Sequence, residues 1–247
     1  MTSYKLDIYN EIAKRQCKII AQINNIDLHI LEIKDEILNN PINYNKKPLV
    51  FIISGVATGG KDLFIKYVTD YVNDYLIKFS YNVYNTSSID EVKRIVDYMN
   101  TVDNSLVAKE AIDNKTDKYR TLLHDIKMAW SAFDDGPNQV IYNLINKIMT
   151  RHCELMYNPS FIFVHVREAN EIDNMKQYLI YNMELIPISI GVIGHSNPKD
   201  FTNEGDALAN EYDYDIIIPN NGNVKEFRET SCVFARNAMC ARAYYGI

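Results

Sequence analysis

The chain has 247 residues, 47% hydrophobic and 23% charged, which suits one sizeable globular domain with an appendage. Its 26 basic and 32 acidic side chains leave a net charge of −6 and no broad basic field for duplex nucleic acid, so no specific nucleic-acid partner is expected. MTSYKLDIYNEIAKRQ has no apolar signal core, no run approaches a membrane span, and Cys17, Cys153, Cys232 and Cys240 form no C-x-x-C pair, so a cytoplasmic protein with reduced thiols and no membrane partner is expected.

Residues 1–40 are predicted to form a long helix or a helical hairpin broken at Asn24-Asn25. Ile12, Ile19, Ile26 and Ile33 recur every seven residues. Ile23, Ile30 and Ile37 form a second series, which Gln16 and Tyr9 continue. Together they make a coiled-coil-like a/d seam that wants a helical partner. Either the seam packs on the chain's own core or it joins copies of the chain into a homo-oligomer. The second is the expectation, because an apparently complete domain follows. Isoleucine in both seam positions disfavours a plain two-stranded coil and leaves the stoichiometry open.

Pro41 and Pro48 bound a linker over 41–48, and 49–247 is expected as one domain. PLVFII reads as a fully buried strand of a parallel sheet. SGVATGGKD follows it, and LFIKYVTDYVNDYLIKF continues as a helix. YNVYNTSS is predicted as a strand, and IDEVKRIVDYM as a helix with Ser88 at its N-cap. DNSLVAKEAIDNKTDK is a polar connection, followed by helices over RTLLHDIKMAWSAF and QVIYNLINKIMTRHCEL with DDGP between them. FIFVHV is a buried strand, REANEIDNMKQYL a helix and LIPISIGVI another strand. YDYDIIIPNNG gives the last strand and a turn, and SCVFARNAMCARAYY a closing helix. Strands alternating with helices predict an α/β fold with a doubly wound, mainly parallel sheet.

The loop after the first strand fits the phosphate-loop pattern G-x-x-x-x-G-K, with Gly55, Gly60 and Lys61 at the fixed positions. Such a loop binds phosphate because backbone N–H groups at a helix start point at the anion and the helix dipole favours it. The predicted ATP-binding segment is Gly55, Val56, Ala57, Thr58, Gly59, Gly60, Lys61, Asp62 and Leu63, with Lys61 reaching the β- and γ-phosphates. Asp62 stands where a magnesium-binding Ser or Thr is usual. Its carboxylate can hold Mg2+ directly or through water, or simply place negative charge in the first helical turn.

G-K-D followed by an apolar residue resembles the phosphate loop of a small branch of P-loop kinases. The branch includes the phage-type deoxynucleoside monophosphate kinases and the animal phosphomevalonate kinases. VHVREANEID resembles that branch's D-x-R-x-x-x-E segment; Arg167 and Glu171 match, and His165 stands where the Asp is usual. NEGDALANEYDYDIIIPNNG resembles its lid, last strand and N-x-G turn, and KYRTLLHDIKMAWSAFDDGP a central helix and turn. The likeness spans about residues 48–230. It implies a P-loop NTPase three-layer αβα fold and phosphoryl transfer from Mg-ATP to a nucleoside or deoxynucleoside monophosphate.

Phosphoryl transfer needs cations converging on the phosphates. Lys61, Arg120, Lys127 and Arg167 are the catalytic candidates, and Arg94, Arg120 and Asp125 the acceptor-binding ones. Arg120 and Lys127, seven residues apart, are expected on one helix face, either as a phosphate clamp or in solvent. Lys93 reads as surface charge and His165 as a core histidine. Asn220, Asn221 and Gly222 are expected in a turn near the donor base, and Tyr119, Trp130 or Phe133 as core or as a stacking platform. Between Ile190 and Tyr214 the only basic side chains are His195 and Lys199, an arginine-poor lid. That favours an alternative: a nucleotide-binding switch or scaffold with little turnover.

Overall fold

A computed structural model describes residues 14, 16–21, 23, 47–56, 59–76, 81–102, 116–155, 158–194, 211–220 and 222–245. Ala57, Thr58, His195, Lys199, Asn221, the connection over 103–115 and most of the N-terminal seam and linker lie outside them.

The elements run β1 (Leu49–Ser54), α1 (Lys61–Leu76), β2 (Tyr81–Ser87), α2 (Asp90–Val102), α3 (Asp117–Asp134), α4 (Gly136–Leu155), β3 (Asn158–His165), α5 (Ala169–Met183), β4 (Ile186–Gly194), β5 (Ile216–Asn220) and α6 (Val224–Tyr245). The five strands form an all-parallel sheet in the order β2-β3-β1-β4-β5. β1 lies at its centre, with Ile53 opposite His165 of β3 on one side and Ile190 of β4 on the other. This is the expected α/β class with a parallel sheet.

Every residue of β1 is buried, as its unbroken apolar sequence requires of a strand covered on both faces. Leu49, Phe51 and Ile53 point into a cluster with Phe64 of α1 and Phe227 and Phe234 of α6. Phe51 stacks on Phe163 at 5.1 Å and meets Phe234 edge-on at 5.2 Å, while Phe64 and Phe234 lie 5.1 Å apart. Val50 and Ile52, facing the other way by strand alternation, are equally buried.

The described part of the N-terminal seam belongs to this same core. Residues 16–21 are helical, and Ile19 and Ile23 are buried in the cluster. Gln16 Nε2 donates to the Pro187 carbonyl at 2.8 Å, and Asn237 Nδ2 to the Ile23 carbonyl at 3.3 Å. Over these turns the seam packs on the chain's own core.

The block expected as one domain holds two compact units: Met1–Asn85 with Ile148–Ile247, and Thr86–Lys147. The second has its own apolar cluster of Val92, Val96, Tyr119 and Leu123. Its α3 starts earlier than predicted because Thr116 caps it, its hydroxyl accepting from the Tyr119 N–H. The N-cap expected at Ser88 is not formed: α2 begins at Asp90, Ser88 is buried, and the Ser87 hydroxyl accepts from the Ile89 N–H instead.

Candidate functional site

The phosphate-loop sequence joins the carboxyl end of the central strand to the first turn of α1. Two glycines make that path feasible. Gly55 has φ +140°, and a Cβ there would lie 2.3 Å from the Val192 carbonyl oxygen of β4. Gly60 has φ +98°, and a Cβ there would lie 2.6 Å from Asn220 Nδ2. Both positions combine a left-handed backbone with close approach, which only glycine meets without strain. The Gly59 N–H donates to the Val56 carbonyl at 3.1 Å, and the Phe64 N–H to the Gly60 carbonyl at 2.8 Å, opening the helix. Lys61 Nζ folds over the loop, donating to the Val56 carbonyl at 2.7 Å and to that of Gly55.

The chain leaves β1 toward β2 on one side and leaves β3 toward β4 on the other. Adjacent strands whose connections diverge open a crevice at their carboxyl ends, where open α/β sheets bind ligands. Asp62, His165 and Arg167 gather at that edge. Asp62 has a side chain 94% exposed, with Oδ1 3.9 Å from His165 Nε2. His165 is half-buried rather than fully in the core, and its Nε2 lies 2.8 Å from Asn85 Oδ1. An amide oxygen only accepts, so this contact suits the tautomer that donates from Nε2. Asp62, in contrast, presents an acceptor-only carboxylate to solvent, which fits a hard cation. Arg167 is exposed, and its carbonyl accepts from the Ser54 hydroxyl at 3.5 Å.

The remaining candidates belong to the second unit. Arg94 Nη1 meets Glu91 at 2.6 Å, and Lys93 meets Asp90 at 3.1 Å, each one helical turn away. Arg120 and Asp125 are exposed. Lys127 is 4% exposed, which corrects its reading as part of a solvated face. It follows Tyr119 and Leu123 at four-residue steps along the buried side of α3. Seven residues leave it about 20° around the helix from Arg120, enough to separate a covered position from an open one. Tyr119 is core and Trp130 packs against the same cluster, whereas Phe133 is 86% exposed.

Some supporting residues were not anticipated. Asn220, expected in a turn near the donor base, also donates from its Nδ2 to the Gly59 carbonyl at 3.0 Å. Tyr214 lies against Gly191 and shares a hydrogen bond with Ser54; burial raises its phenol pKa, and the Ser54 bond offsets part of the rise. Asp215 accepts from the Ser189 N–H at 2.7 Å and its hydroxyl at 2.8 Å, and pairs with Lys176 at 2.8 Å. It thereby pins the start of β5 to β4. Beside it, burial and a 2.6 Å hydrogen bond to Asp173 hold the Tyr212 phenol well above its ordinary range.

Among the described residues no group of three or more His, Cys, Asp or Glu could hold a metal ion, and no helix is long and apolar enough to cross a membrane. No protein-family model, curated protein or solved structure matches the chain.

Proposed function

We propose that the chain is a P-loop phosphotransferase acting from Mg-ATP on a nucleoside or deoxynucleoside monophosphate, on a three-layer αβα fold. One observation carries this reading: G-x-x-x-x-G-K links the central strand of a parallel sheet to a helix start, with Lys61 laid over the loop's carbonyls. Amides from Gly55 to Leu63 would hold the donor phosphates, and Asp62 the magnesium, which needs few protein ligands when phosphates and waters supply the rest. Bound magnesium supplies charge neutralisation on the phosphate oxygens. Lys61 and Arg167 are the cations of the first unit assigned to that task. In the second unit Arg94, Arg120 and Asp125 are the exposed candidates for an acceptor, whereas Lys127, the other sequence candidate, lies on the covered side of α3.

The arginine-poor stretch between Ile190 and Tyr214 favours a second reading, a nucleotide-binding switch or scaffold with little turnover. A coupled ADP-release assay over a panel of monophosphates separates the two. The kinase reading expects turnover far above the no-acceptor rate, abolished in Lys61→Ala. ATP binding without acceptor-stimulated turnover sinks it and favours the switch. Light scattering of the full chain tests self-association, and a monomer mass rejects it.

A further inference from the structure

Asn220 ends β5, far from the phosphate loop in sequence, yet its side chain closes on the loop's second half. Its Nδ2 donates to the Gly59 carbonyl at 3.0 Å, and its Oδ1 accepts from the Gly222 N–H at 3.3 Å. A Cβ at Gly60 would lie 2.6 Å from that amide nitrogen and 3.3 Å from the Phe227 ring. Both polar ends of Asn220 are therefore engaged, and the Gly59 carbonyl is held by its side chain.

A trans peptide is planar, with its C=O and N–H antiparallel. Fixing the Gly59 carbonyl on Asn220 therefore points the Gly60 N–H the opposite way, away from β5. A donor on a carbonyl also polarises the amide and strengthens its own N–H as a donor. We infer that Asn220 is a positioning residue for phosphate binding: it orients the Gly60 N–H as one of the donors of the cradle. This rests on the phosphate-loop reading and adds to it a residue outside the loop motif.

The test is calorimetric binding of ATP and of inorganic tripolyphosphate to the full-length chain and to Asn220→Leu, which keeps the shape and removes the donor. One hydrogen bond's worth of positioning is about a tenfold loss, expected equally for both ligands. In wild type the Gly60 amide resonance moves on adding tripolyphosphate; in the variant it moves less, although the free protein melts at nearly the same temperature. Wild-type protein that binds neither ligand overturns the phosphate-loop reading itself. Wild-type binding with unchanged tripolyphosphate affinity in Asn220→Leu overturns only the role of Asn220. A loss for ATP alone also overturns it, because the contact would then serve the base. If Asn220→Leu does not fold, Asn220→Asp retains the acceptor for the Gly222 N–H and replaces the donor by a carboxylate oxygen that repels the Gly59 carbonyl, its charge screened by salt. It is expected to lose at least tenfold for both ligands at high salt, and unchanged binding counts against the proposal.

Discussion

The two compact units hold their chemistry-bearing residues by different means. In the first, Gly55 and Gly59 of the phosphate-loop motif are held by groups distant in sequence: Val192 behind Gly55, and Asn220 on Gly59. In the Thr86–Lys147 unit, Lys93 and Arg94 are held by carboxylates three residues away on their own helix. Backbone-built geometry is set by the fold and is ready before a ligand arrives. Side chains held by exposed neighbours are set by rotamers in water and can be redirected at little cost. On the proposed reading, the donor phosphates would meet groups held in advance by the fold, whereas the second unit's exposed cations would be recruited by whatever anion they meet.

The largest expected effect lies in the core beneath the first unit's loop, set against an exposed side chain of the second. Phe51→Ala removes the ring shared by Phe161, Phe163 and Phe234 and is expected to cost about 4 kcal/mol in denaturant unfolding. Phe133→Ala, at a position 86% exposed, should stay within about 0.5 kcal/mol. Equal losses would remove the distinction between a rigid base and a surface element. Next comes Gly55→Ala, which puts a methyl 2.3 Å from the Val192 oxygen at φ +140°. Strain of this kind costs about 2–3 kcal/mol, so calorimetry should show a lowered melting temperature together with lost ATP binding. Unchanged ATP affinity in a folded Gly55→Ala protein would mean that the loop is not the phosphate cradle. In the second unit, Thr116→Ala removes the cap of α3 and should cost about 1 kcal/mol, read by chemical denaturation.

What was legible in the sequence follows the same division. PLVFII announced a central strand because a strand buried on both faces must be apolar throughout. The glycines announced a turn because left-handed backbone at close approach excludes a Cβ. Asn220 reads from sequence as part of a turn near the donor base, and its bond to the Gly59 carbonyl is not legible there, since that carbonyl lies 161 residues away and no local pattern carries the contact. Lys127 reads from sequence either as a clamp with Arg120 or as surface, since a lysine is rarely buried, and only its alignment with Tyr119 and Leu123 signals burial. Residues 1–40 showed a seam without showing what it meets. At Ile19 and Ile23 it meets the sheet's own cluster, a choice that periodicity leaves open because either partner supplies the same apolar face.

The smallest expected effect is the most informative about the second unit. The Arg94 side chain is 76% exposed in its pair with Glu91. Exposed pairs one helical turn apart contribute about 0.3 kcal/mol and fade with salt. Arg94→Ala should therefore leave denaturant stability almost unchanged. If Arg94 meets the acceptor's phosphate, the same variant should raise KM for the monophosphate about tenfold with kcat little changed, because such a contact is formed in ground and transition states alike. KM for ATP should not move. A stability loss above about 1 kcal/mol would show that the pair braces α2, and the contrast between a built cradle and recruited cations would fail at the residue where it is most exposed to test.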